Sequence, residues 1–103
     1  MRKAKVFVNG GEAGFFCELE SNKKFEFEYR EEYTGLPISL TMPVKGRKFL
    51  FETFPPFFDG LLPEGIQLEA LLRQKKIDRN DYFGQLMAVG GDMVGAVTVE
   101  EIV

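Results

Sequence analysis

From Phe25 to Arg30 aromatic and charged residues alternate without a break: Phe25, Phe27 and Tyr29 fall on one side of an extended chain, Glu26, Glu28 and Arg30 on the other. Side chains of a β-strand point to opposite faces in turn, so this pattern predicts a strand with one face in a core and one in water. A sheet solvated on one side is characteristically antiparallel. The flanking segments agree. Val6 to Val8 is a short β-rich run closed by the turn signal Asn9-Gly10-Gly11. Phe15, Cys17 and Leu19 alternate with Phe16, Glu18 and Glu20. After a connection from Tyr33 to Pro37, the alternation of Ile38, Leu40 and Met42 with Ser39 and Thr41 predicts a fourth strand ended by Pro43. Phe49 to Phe51 predicts one more short strand.

The pattern then changes period. Pro55-Pro56 lacks two amide donors and pushes the preceding residues to extended geometry, which predicts irregular chain immediately after it. Glu64 to Lys75 predicts a helix with Leu68, Leu71 and Leu72 on one face and Glu69, Arg73 and Gln74 off it. A second helix is signalled by Asp78 as cap, Asp81 in the third helical position and Ile77 stapling onto Tyr82. Phe83, Leu86 and Met87 form its apolar stripe, and Gly90 or Gly91 supplies a left-handed stop. Val94 to Val99 closes the chain as a strand. The expected class is α+β: an antiparallel sheet or meander of about five to six short strands, with two short helices before the last strand. With 103 residues, the expectation is a single domain spanning 1–103.

Composition narrows the chemistry. Hydrophobic residues make up 45%, with eleven Phe, enough for a core without metal or disulfide staples. The net charge of −3 supplies no basic field for phosphate backbones, so no direct nucleic-acid partner is expected. Lys45-Gly46-Arg47-Lys48 reads as a solvated turn. The single cysteine, Cys17, cannot form an internal disulfide and reads as a small buried hydrophobe, which fits a reducing compartment. No apolar run approaches the roughly 20 residues of a membrane span, and Met1 to Val6 lacks the apolar core of a signal peptide. The expected location is cytoplasmic, away from membranes.

There is no His, and with one Cys no ordinary zinc site or Cys–His or Ser–His nucleophile pair can be assembled. Gly90-Gly91-Asp92-Met93-Val94-Gly95 lies between a helix and a strand, the reverse of the order a dinucleotide fingerprint needs. Glu26 and Glu28 read as solvated strand residues. Asp59-Gly60 is a turn signal, and Glu64 after Pro63 suits the positive end of a helix. The expectation is a chain that is not an enzyme by itself and takes no cofactor or metal.

One segment asks for a partner. Phe54 to Ile66 is rich in large apolar residues yet cannot be a regular strand, and loops run over the surface. Phe54, Phe57 and Leu61 read as core between sheet and helices. Leu62, Pro63 and Ile66, at the mouth of the first helix, read as available to another protein.

The run Phe57-Phe58-Asp59-Gly60-Leu61-Leu62-Pro63-Glu64-Gly65 resembles the hallmark of the HipA N-terminal domain. So do Asp81-Tyr82-Phe83-Gly84 and the later Gly90-Gly91-Asp92-Met93-Val94-Gly95-Ala96-Val97. Upstream, Tyr33 and Ile38-Ser39-Leu40-Thr41-Met42-Pro43 fit as well, so the resemblance covers nearly the whole chain. HipA proteins are bacterial toxin Ser/Thr kinases, several times longer, whose ATP-binding and Mg-binding parts follow this domain. The resemblance therefore implies a non-catalytic module, since a kinase needs those groups to hold ATP and metal. In some three-component systems the domain is a separate HipS-like antitoxin that binds and inhibits a shortened HipA/HipT-like kinase, with a HipB-like DNA-binding protein as third member. The resemblance implies that role here, with Phe57, Phe58, Asp59, Leu61, Leu62, Pro63, Glu64 and Ile66 as the partner interface. A structural or dimerisation module of a HipA-type complex, without inhibition, is the second reading. A small-ligand domain is the third, disfavoured by the missing phosphate loop and His.

Overall fold

The Phe25–Arg30 alternation folds as β3 (Lys24–Tyr29), the third strand of a meander after β1 (Arg2–Val8) and β2 (Gly11–Glu20). Two further strands, β4 (Lys48–Phe51) and β5 (Val97–Ile102), extend the sheet at its two edges. The computed structural model describes residues 1–92 and 95–102. Within it the strands form one five-stranded sheet in the order β4-β3-β2-β1-β5, with every pairing antiparallel. Between β4 and β5 come α1 (Pro56–Asp59), α2 (Gly65–Lys75) and α3 (Tyr82–Val89). The α+β class, the antiparallel sheet and the placing of helices before the last strand are as the sequence pattern predicts.

Register explains the core. Ala4, Phe16, Phe27 and Phe49 stand in one row across four strands, and Glu18, Phe25 and Phe51 in the next. Phe16 is at the centre, its ring 4.1 Å from Phe58 of α1, 5.4 Å from Phe83 of α3 and 5.9 Å from Phe25. Each such aromatic pair contributes about 0.5–1.5 kcal/mol beyond the area it buries. The opposite face carries the row Lys3, Cys17, Glu26 and Leu50. Cys17 is buried even there, and removal from water pushes its thiol pKa up, as an inert small hydrophobe requires.

Several local expectations are corrected. Ile38 to Met42 is not a strand but a turn, with the Met42 N–H donating to the Ser39 carbonyl at 3.0 Å and one isolated bridge between the same residues. The Tyr29 hydroxyl holds it in place, donating to the Met42 carbonyl and accepting from the Ile38 N–H at 3.0 Å. Ile38 and Met42 are buried while Leu40 is 96% exposed. Regular structure does follow Pro55-Pro56, because Pro56 opens α1 at a position where its missing N–H has no helical partner to lose. The cap of α3 is Asp81, which accepts from the Gly84 N–H at 3.0 Å; Asp78 instead closes the preceding turn through the Asn80 N–H at 2.8 Å. Gly90 is right-handed, φ −54°, so it is not a left-handed stop. It is packed so closely that a Cβ would lie 2.3 Å from the Val99 carbonyl oxygen.

The basic cluster is a 3-10 turn, Val44–Gly46, and Arg47 is a tether, donating to the Arg30 carbonyl at 2.8 Å and the Tyr33 carbonyl at 3.3 Å. The closing strand begins at Val97; the expected strand residue Val94 and the motif residue Met93 lie outside the described residues. Among the described residues no helix is long and apolar enough to cross a membrane.

Candidate docking site

The segment from Phe57 to Ile66 runs from the core to the surface. At its start Phe58 is fully buried, stacked on Phe16 and 6.3 Å from Phe27. Phe57 is half-buried against the Phe58 ring at 5.2 Å, and Asp59 points to solvent. Two turns then reverse the chain, with the Leu61 N–H on the Phe58 carbonyl and the Leu62 N–H on the Asp59 carbonyl, both at 3.1 Å. Leu61, Leu62 and Pro63 are half-buried; Leu61 and Leu62 pack on the edge of the core. Glu64 is extended and exposed, and Gly65 takes φ +59°, a left-handed turn that a side chain would strain. Ile66 follows in the first turn of α2 and is 88% exposed.

The eight sequence-predicted interface residues lie along one segment that runs from the core to the surface, and they do different things. Phe58 lies in the core and has no surface to offer, and Phe57, Leu61 and Leu62 brace the loop on it. Pro63, Glu64 and Ile66 form the projecting end. Its apolar character is unusual because α2 behind it buries none of its residues: Leu68, Leu71 and Leu72 are only half-buried, and the charged residues Glu69, Arg73 and Lys75 are exposed. The helix is held at its end by Lys76 in left-handed conformation, with the Ile77 N–H reaching the Leu72 carbonyl at 3.1 Å. Arg79 donates to both carboxylate oxygens of Glu69, at 2.6 and 2.9 Å.

Asp59 and Glu64 are exposed, and among the described residues no side-chain hydrogen bond or ion pair reaches either carboxylate. Among the described residues no group of three or more His, Cys, Asp or Glu side chains is placed to hold a metal ion. Sequence reasoning missed other exposed apolar side chains, among them Leu36 at 66%, Leu40 at 96% and Leu50 at 68%.

Comparison with known proteins matches this geometry to one family. The family model described as HipA N-terminal domain matches residues 4–100. A Haemophilus influenzae protein of uncharacterized role is 35% identical over 101 residues, covering 98% of this chain and 93% of its own length. The kinase candidate Y4mE of Sinorhizobium fredii is 29% identical; the alignment covers 94% of this chain but only 24% of that protein. A solved N-terminal domain of HipA toxin superposes with TM-score 0.78 at 30% identity, over 100% of this chain and 94% of that one. HipA in the Shewanella oneidensis complex with HipB and operator DNA shares the fold, with TM-score 0.71 at 19% identity, over 94% of this chain and 23% of that one.

Proposed function

Because the chain belongs to the HipA N-terminal domain family, we propose that it is a non-catalytic, antitoxin-like subunit that docks on a separate HipA-like Ser/Thr kinase and inhibits it. The observation that carries this reading is Ile66, 88% exposed at the end of a segment whose other end, Phe58, is fully buried. Large apolar groups at the centre of an interface dominate affinity, and a rigid base removes the entropy cost of ordering them. Inhibition then means occupying a surface or cleft so that the kinase cannot close around ATP. The Haemophilus relative of nearly equal length supports a form of the domain encoded apart from a kinase. The Shewanella assembly of HipA, HipB and DNA supports a HipB-like protein as indirect partner.

The test is to titrate the chain into the cognate kinase and follow both binding and phosphorylation, with growth rescue as the cellular readout. Ile66→Asp puts a charge into a dry contact at a cost of roughly 2–5 kcal/mol, so binding weakens at least about tenfold and rescue is lost. Glu26, expected in water, is half-buried and 3.8 Å from the Lys48 ammonium, so the control is Glu28→Lys at an exposed position of the same strand, which keeps both. Association without inhibition turns the protein into a structural module of the complex. No association ends the proposal. The chain alone gives a flat calorimetric trace with Mg-ATP.

A further inference from the structure

β4 is the free edge of the sheet, and its sequence is complementary to itself. The Tyr29 N–H donates to the Arg47 carbonyl at 2.8 Å, and the β3–β4 register pairs Phe27 with Phe49 and Phe25 with Phe51. Alternate residues of an antiparallel strand bond to alternate sides. Phe49 and Phe51 therefore bond inward to β3, and Lys48, Leu50 and the following Glu52 present their backbone groups outward. Among the described residues no backbone hydrogen bond from another segment reaches that outer edge. Leu50 sits at its centre, 68% exposed, and lines a surface depression with Leu19, itself 38% exposed, and Glu52.

The geometry points to a symmetric dimer in which β4 pairs antiparallel with β4 of a second copy, Leu50 on the two-fold axis. In that register Lys48 lies opposite Glu52 of the other copy, and the pair occurs twice. Phe49 and Phe51 face each other on the core side. Both copies keep their core faces on the same side, so two five-stranded sheets become one. In the single chain Lys48 lies 3.8 Å from the Glu26 carboxylate of β3; an edge Lys ordinarily guards a sheet against pairing, and Glu52 of the second copy adds the further carboxylate that turns the guard into a register mark. The other edge lacks this property. A β5 pairing with itself about Glu100 would oppose like charges, because Glu100 and Glu101 are adjacent. The dimer is independent of the docking segment from Phe57 to Ile66, which shares none of these residues.

Sedimentation equilibrium on the purified 103-residue chain tests it. The expected result is a monomer–dimer equilibrium. Leu50→Lys should raise its dissociation constant by about tenfold or more, since two ammonium groups meet at the axis. Glu52→Lys should raise it about fivefold, because each lost pair counts twice. Adding Lys48→Glu to Glu52→Lys restores dimerisation in part, because Lys48→Glu also gives up the contact with Glu26 inside each chain, while neither strand's apolar residues change. Circular dichroism checks that each variant is folded; Glu52, which makes no ion pair among the described residues, carries the test if Leu50→Lys does not fold. A monomer at every concentration overturns the inference, as does a dimer indifferent to Leu50→Lys or Glu52→Lys. Masses growing beyond the dimer, from β4 pairing on β5, overturn it equally.

Discussion

The guanidinium of Arg2 and the carboxylate of Asp81, separated by 79 positions, meet in two hydrogen bonds of 2.7 and 3.1 Å. The same Arg2 holds Glu18 through two more, at 2.8 and 2.9 Å, and lies 5.0 Å from the centre of the Phe83 ring. One side chain thus ties β1, β2 and the capped end of α3. The Glu18 side chain is only 6% exposed, so Arg2→Ala leaves a nearly dry carboxylate without its cation and with only the Asn22 N–H, at 3.2 Å, to bond it. Arg2 itself is about a third exposed, and water softens the loss to about 1–3 kcal/mol. Arg2→Lys restores charge but not the fork and recovers only part of it. Chemical denaturation of the three proteins measures both steps.

Asp81 makes stability depend on pH in a defined direction. The hydrogen bond from Arg2 and, less strongly, the Gly84 N–H hold its carboxyl below the ordinary range against the opposing effect of burial. In the unfolded chain an Asp titrates near about 3.9, so as pH falls the unfolded state takes up the proton first. The contribution is complete above about pH 5 and is lost as pH falls through the unfolded value toward the lower folded one. Asp81→Asn keeps the cap but not the charge. Between about pH 6 and pH 3 the wild type should therefore lose more melting temperature than the variant. Parallel losses in the two proteins would show that the Arg2–Asp81 pair is energetically silent.

The turn from Ile38 to Met42 depends on one hydroxyl. Tyr29→Phe leaves the Ile38 N–H and the Met42 carbonyl without their partner in a buried place, at about 1–3 kcal/mol. Hydrogen exchange should show the Ile38 amide losing protection selectively. Unchanged protection would mean that packing of Ile38 and Met42 alone holds the turn.

The strands were legible because period-two alternation reports which face is buried: β3 and β4 lie where the pattern puts them, whereas β1 starts at Arg2, ahead of the Val6–Val8 run, and β2 starts at Gly11, inside the expected turn. It could not separate a strand from a turn that also buries every fourth residue: Ile38 and Met42 go inward in both, and only Leu40 differs. The docking segment was legible as a departure from any period. The exposure of Ile66 was legible from its place at the mouth of the first helix; that Phe58 anchors the segment was not, because α1 starts at a Pro whose lost N–H reads as a helix breaker in sequence and is harmless at the first helical position. Caps were ambiguous for a related reason. Asp78 and Asp81 both satisfy the local rule, and Arg2, far away in sequence, is what engages one of them.

Glycine 90 separates two explanations of a single letter. As a left-handed stop it would tolerate Asn; as a close approach it tolerates no side chain. Gly90→Ala would bring a Cβ within 2.3 Å of the Val99 carbonyl oxygen, whereas a Cβ at Gly91 meets nothing within 4 Å. Overpacking of this kind costs about 1–3 kcal/mol. Gly91→Ala should stay within about 0.5 kcal/mol of wild type in the same denaturation experiment.

Phe58 and Ile66, eight positions apart, should fail in opposite ways. Phe58 stacks on Phe16 and touches Phe27 and Phe57, so Phe58→Ala opens a cavity at the contact between α1 and the sheet. The cost is about 3–5 kcal/mol, a large share of the stability of a chain this size. Ile66 at 88% exposure contributes almost nothing to the folded state, so Ile66→Asp should unfold within about 0.5 kcal/mol of wild type. If Ile66→Asp were destabilised like Phe58→Ala, Ile66 would be part of the core in solution and could not serve as a docking residue. If it keeps its stability and loses only affinity for the kinase, the tip acts on a partner and not on the fold. Measuring unfolding and binding on the same two variants distinguishes these outcomes, because Phe58→Ala must change the first before it can change the second.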